Sequence, residues 1–203
     1  MSKRKHISFP LLTPAQVGSG QYSGVFIDDS GTPGQDSPSV HLDRGRKTWV
    51  AVLLTHDQLT EESQEMPGAL NELQQSVGIR EFHFADLLSG KGIRSVPFEK
   101  RLAVFRFMAA IFSTYRYPML VQTFGPANIR EHPELISSFG SFGAFDMKNP
   151  ADLSLVILLW RLRCYFAENK SLFLRPELLF LDEGRFKPKL AVKQLLQFGS
   201  NAV

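Results

Sequence analysis

Two adjacent carboxylates, Asp28 and Asp29, follow the apolar triplet Val25-Phe26-Ile27 and precede Ser30-Gly31-Thr32-Pro33-Gly34. The triplet has the character of a short buried strand. Gly tolerates positive φ and Pro removes a strand donor, so the residues after the acids are expected to turn. Asp28 and Asp29 are thereby predicted where a core strand emerges at the surface, the position at which open α/β sheets hold their ligands. A second apolar run, Glu177-Leu178-Leu179-Phe180-Leu181, ends in the same way on Asp182 and Glu183. The third candidate is Glu81-Phe82-His83-Phe84. If it is extended, its period of two puts Glu81 and His83 on one face and the Phe pair on the other.

If the two acid-ended strands are parallel neighbours, their acids emerge at the same sheet edge. Carboxylates that converge repel each other unless a cation lies between them. Mg²⁺ or Mn²⁺ suits such a site, being hard and oxygen-loving. A pair of such ions about 4 Å apart can clamp the attacking water and the leaving oxygen of a phosphodiester. Metal-assisted phosphodiester hydrolysis is therefore the expected chemistry. His83, beside Glu81, could orient water, move a proton or touch the metal. Each acid taken singly also has a plain structural reading, since Asp before Ser-Gly and Asp182-Glu183-Gly184 both suit turns. Lys91 and Arg94 follow Glu81, and Arg185, Lys187 and Lys189 follow Asp182. These cations can track a nucleic-acid backbone or serve as solvated loop charges.

The elements that must position these residues read as follows. Residues 1–23 form a basic tail and entry loop, and residues 24–203 a single domain. Strands are predicted at 25–28 and 48–54, the second rich in β-branched and aromatic residues. The stretch from Ser30 to Lys47 is expected to be a long loop. Residues 57–77 favour a helix, with Asp57 or Thr60 as cap and an interruption at Pro67-Gly68. Pro97 to Tyr115 is a helix with Pro97 in its first turn and a stripe of Leu102, Phe105, Met108 or Ala109, and Phe112. Residues 119–124 form a strand, and 125–149 show no assignable period. Asn149-Pro150 opens a helix over 151–168 whose apolar first half is expected to be deeply buried, with Asp152 complementing its dipole. A strand at 177–182 and a last helix at 188–198 complete the order. The first pair of strands reads as antiparallel and the later ones, alternating with helices, as parallel. The fold class is α/β, with a mixed sheet between helices.

Composition bounds the partners. A chain of 203 residues that is 43% apolar can build one core of its own. Most of its 17 Phe are expected in that core, with 138–147 as a Phe-rich surface. The formal charge of +3 permits a polyanionic partner without demanding one. Cys164 is the single cysteine, so no intrachain disulfide can form, in keeping with a reducing cytoplasm. The basic start leads into no apolar signal region. The most apolar run, Leu153 to Trp160, falls far short of the ~20 residues of a membrane span.

Phe26-Ile27-Asp28-Asp29-Ser30-Gly31 resembles the Tyr-x-Asp-Glu-Ser-Gly opening of the bacterial domain-of-unknown-function 3800 family. Glu81-Phe82-His83 is similar to that family's Glu-apolar-His motif, and Leu181-Asp182-Glu183 to its later strand-end Asp-Glu. The order agrees over about residues 24–190. The resemblance implies a ribonuclease-H-like three-layer domain and a nuclease activity on RNA or DNA. It implies Asp28, Glu81 and Asp182 as the metal-binding acids, His83 as an accessory, and Asp29, Ser30 and Glu183 as residues just behind them. Two departures stand out. Asp29 replaces the usual Glu, and Gln197-Phe198-Gly199-Ser200-Asn201 lacks the family's Gln-x-Ala-Asp-like ending. The domain is on this reading shortened at its C-terminus, and a protein partner or a second copy could complete the site. The alternative function is accordingly a nuclease-like binding or regulatory subunit. A third, a haloacid-dehalogenase-like phosphatase with Asp28 as nucleophile, needs a general acid at Ser30, which cannot supply one.

Overall fold

Alternation of side chains across a central strand organises the fold. In a computed structural model, residues 22–30, 46–82, 87–88, 90, 96–138, 140–142, 145–173 and 177–181 are described. Strand β1 (Ser23–Ser30) runs antiparallel to β2 (Lys47–Leu54), with Ile27 opposite Ala51 and Asp29 opposite Trp49. Strand β3 (Met119–Phe124) adds antiparallel to β2, and β6 (Glu177–Leu181) adds parallel to β1 on its other side. The sheet order is β3-β2-β1-β6. The antiparallel first pair and the parallel β6 agree with the order of elements, but β3, expected among the parallel later strands, pairs antiparallel with β2 instead.

The odd-numbered residues of β1 and β2 face one helix. Val25, Ile27, Trp49, Ala51 and Leu53 are buried with Leu155, Leu158 and Leu162 of α5 (Pro150–Glu168). Asn149 caps α5 by accepting from Ala151 N–H, with Pro150 following it, as its sequence predicts. Asp152 accepts the backbone N–H of Asp146 at 2.9 Å, a structural role. The first half of the helix is well covered, with no exposed residue over 151–159, and only the second half is open on one side. Leu153, Leu155 and Leu158 are covered while Trp160 is 64% exposed, because a helix on a sheet has one contact stripe.

The even-numbered residues face a second helical layer. Helix α1 (His56–Val77) crosses β1 and β2, and Leu59 lies against Gly24 so closely that a Cβ there would meet it at 3.1 Å. Its cap is Thr55, in a reciprocal box with Gln58, rather than Asp57 or Thr60. The helix continues through Pro67, whose exposed turn lets water serve the carbonyl that proline leaves without a donor. It ends at Gly78, with φ of 75°. Helix α2 (Phe98–Tyr115) packs on α1, with Pro97 at the cap rather than in the first turn. Val104 is its fully buried residue, and Phe112 of the expected stripe is 38% exposed. At the base of this layer Leu54, Leu59 and Tyr117 are buried together. Tyr117 donates from Oη to Glu62, and burial followed by that bond pushes its phenol well above the ordinary value. The charge of Glu62, more than desolvation, likewise raises Tyr115, whose ring stacks on Tyr117.

The stretch without a period holds α3 (Pro126–Glu131), α4 (Pro133–Ser138) and the small ladder of β4 (Ser141–Phe142) with β5 (Phe145–Asp146). Phe145 is buried against α5 rather than part of a surface. Phe124 and Phe173 are also buried, but Phe26, Phe98 and Phe112 are exposed. The architecture is a three-layer α/β fold, with a mixed four-stranded sheet between helices. No helix among the described residues is long and apolar enough to cross a membrane.

Candidate functional site

Strand β1 extends to Ser30, so both acids lie within it rather than beyond it. Their neighbouring positions send them to opposite faces. Asp28 sits opposite Val50, exposed, on the side occupied lower down by α1 and α2. Asp29 sits opposite Trp49, half-buried, on the side of α5. The backbone N–H of Asp29 donates to Oδ1 of Asp28 at 2.7 Å, so the peptide between them links the two faces.

Asp29 is held by a residue expected at the end of the loop before β2. Lys47, the first residue of β2, donates from Nζ to Oδ2 of Asp29 and is only 3% exposed. Its ammonium lies 4.9 Å from the centre of the Trp49 ring, and Trp49 Nε1 donates to Ala151 O at 3.0 Å in α5. A lysine is buried only when its charge is compensated, and here a carboxylate and an aromatic face compensate it. Lys47 could have been found from its spacing. It alternates in phase with Trp49, Ala51 and Leu53, all core positions.

Around Asp28 the even face carries an aromatic pair on one side and hydroxyls on the other. Phe26 and Phe180, opposite each other on β1 and β6, stack with ring centres 4.3 Å apart. Such a pair contributes about 0.5–1.5 kcal/mol beyond its area. Thr48 and Thr123 share a hydrogen bond of 3.0 Å, and Ser30 is opposite Thr48. Val121 and Met119 of β3 are exposed on the same face.

The other expected site residues divide as follows. The parallel register places Leu181 beside Ile27, one residue before Asp28. The acids that follow Leu181, Asp182 and Glu183, lie outside the described residues, as do Arg185, Lys187 and Lys189. Glu81 is exposed, in a bend after the end of α1 rather than in a strand. Gly78 turns the chain there, and Phe82 packs beside Val77, Ile79 and Leu87 in the helical layer. Glu81 thus belongs to the layer on the side to which Asp28 points. His83, Lys91 and Arg94 lie outside the described residues. Among the described residues no three of His, Cys, Asp and Glu form a group that could hold a metal ion.

As chemistry, an exposed carboxylate fixed by a backbone N–H is an oxygen donor held in one orientation. Asp28 and Glu81 are hard donors of the kind Mg²⁺ and Mn²⁺ take. Compared with known proteins, this chain matches no family model, no curated protein and no solved structure.

Proposed function

We propose that this protein is a ribonuclease-H-like nuclease that hydrolyses phosphodiester bonds of RNA or DNA, with Asp28 as the central metal-binding acid. One observation carries the reading: β1, which contains Asp28 and Asp29, and β6, which Asp182 and Glu183 follow in the sequence, are hydrogen-bonded parallel neighbours. Parallel neighbours end at the same edge of a sheet, and the register sets Leu181, the last residue of β6, beside Ile27, next to Asp28. A mixed sheet between helices is also what the order of elements predicts.

Asp28, Glu81 and Asp182 would hold Mg²⁺ or Mn²⁺, with His83 beside them. The bound cation supplies charge neutralisation at the phosphodiester and a more acidic water. Asp28 contributes a carboxylate oriented by the Asp29 N–H. The aromatic pair Phe26 and Phe180 offers apolar surface next to that acid. Nucleic acid is the partner, and Lys91, Arg94, Arg185, Lys187 and Lys189 are its backbone contacts in this reading.

The test is cleavage of labelled single- and double-stranded RNA and DNA with millimolar Mg²⁺ or Mn²⁺. Cleavage should require the metal, and Asp28→Asn or Asp182→Asn should each lower it by about a hundredfold or more, as loss of a catalytic ligand does. Variants as active as the parent would sink the assignment. A protein that binds nucleic acid but no metal would instead be the nuclease-like binding subunit. Trapping of a phosphate analogue on Asp28 would favour the phosphatase.

A further inference from the structure

We propose that Lys47 is a positioning residue for Asp28, acting across the thickness of the sheet. The inference rests on the reading of Asp28 as the metal-binding acid, and adds the device that orients it. Lys47 holds the carboxylate of Asp29 on the α5 face. That contact holds the side chain of the residue whose N–H bonds Asp28 Oδ1 on the other face. Lys47 itself is fixed by its burial and by the Trp49 ring. Trp49 in turn is tied to the first turn of α5 through Ala151 O.

The relay runs from α5 through Trp49, Lys47 and Asp29 to the peptide N–H and Asp28. Each link joins a rigid element to the next, with no long flexible side chain left in solvent. The ammonium also assigns different tasks to the adjacent acids. It engages Asp29 inside the sheet and leaves Asp28 as the acid facing outward. A partner that orients a ligand from behind typically changes metal affinity by 10–100-fold when removed.

Lys47→Met alone strands a carboxylate against apolar surface and can fail to fold. The double variant Lys47→Met/Asp29→Asn removes both charges and keeps the volume. Lys47→Arg keeps the cation and serves as the conservative rescue. The parent and all three variants are compared by thermal unfolding, by calorimetric titration with Mn²⁺, and by the NMR position of the residue-29 amide proton.

The expected result is a folded double variant that binds Mn²⁺ about tenfold more weakly or worse. Its residue-29 amide proton should move upfield as the bond to Asp28 loosens, and Lys47→Arg should recover part of both changes. A double variant with parental Mn²⁺ affinity overturns the proposal, however much stability it has lost. If the parent binds no Mn²⁺, the metal reading of Asp28 fails separately. The amide position then still decides whether Lys47 orients Asp28, and an unmoved amide in the folded variants overturns that too.

Discussion

The two faces of the sheet differ more than their residues suggest. Toward α5 the strands present Val25, Ile27, Trp49, Ala51 and Leu53, all buried under one long helix. Even the charges on that side, Asp29 and Lys47, are drawn into contact with each other. Toward α1 and α2 the cover is partial. Gly24, Leu54 and Leu59 are closed in at the base, whereas Phe26, Asp28, Val121 and Met119 are exposed further along. One strand therefore serves two purposes. Its odd positions hold the domain together, and its later even positions, Phe26, Asp28 and Ser30, are open to solvent. A side-chain period of two allows consecutive acids to be split between these purposes.

This contrast can be broken by substitution. The largest effect is expected on the α5 side. Leu158→Ala removes a side chain with no exposed surface and should cost about 2–5 kcal/mol in denaturant unfolding. A loss under 1 kcal/mol would mean that α5 is not clamped on the sheet.

An intermediate effect is expected at the covered base of the other side. Tyr117→Phe leaves the buried Glu62 without its Oη donor and should cost about 1–3 kcal/mol near neutral pH. Its pH dependence sharpens the point. The Tyr117 phenol is raised in the folded state above the 10.0 of an ordinary tyrosine. Above that pH the unfolded chain releases the proton while the folded one keeps it, so folding weakens as pH climbs. The contribution is full below pH 10 and declines above it. Tyr117→Phe should therefore show a shallower fall of melting temperature between about pH 10 and 11. An equally steep fall would remove Tyr117 as the source.

The smallest effects belong to the open part. Val121→Ala should stay within about 0.5 kcal/mol of the parent, since much of that side chain is already in water. Asp28→Asn should be comparably neutral in unfolding, in contrast with its expected effect on metal-dependent cleavage. If either cost several kcal/mol, the even face would be a buried interface and the comparison between faces would fall.

Local signals placed most elements. The runs Val25-Phe26-Ile27 and Trp49-Val50-Ala51-Val52 became strands because β-branched and aromatic side chains suit a pleated surface. Asn149-Pro150 started α5 because both the side-chain acceptor and the fixed φ of proline act within one turn. Strand β3 was legible to the residue. The errors came where local preference was overridden or ambiguous. Pro67 did not end α1, because an exposed carbonyl can turn to water. The apolar first half of α5 is covered as its composition implies, and it is the second half, from Trp160 on, that is open to solvent on one side.

The strand positions of the candidate residues follow the same division. By itself the sequence determined that Asp28 stands late on a core strand and that a second core strand leads into Asp182, since apolar runs and the residues that follow them are local facts. Only the tertiary structure decided that these strands are parallel neighbours, that Asp28 and Asp29 part to opposite faces, and that Lys47 is buried beneath them. Those features depend on which strand pairs with which and on which face a distant helix covers. Residues 102 positions apart, such as Trp49 and Ala151, carry no mark of each other along the chain; contact between them is a property of packing alone.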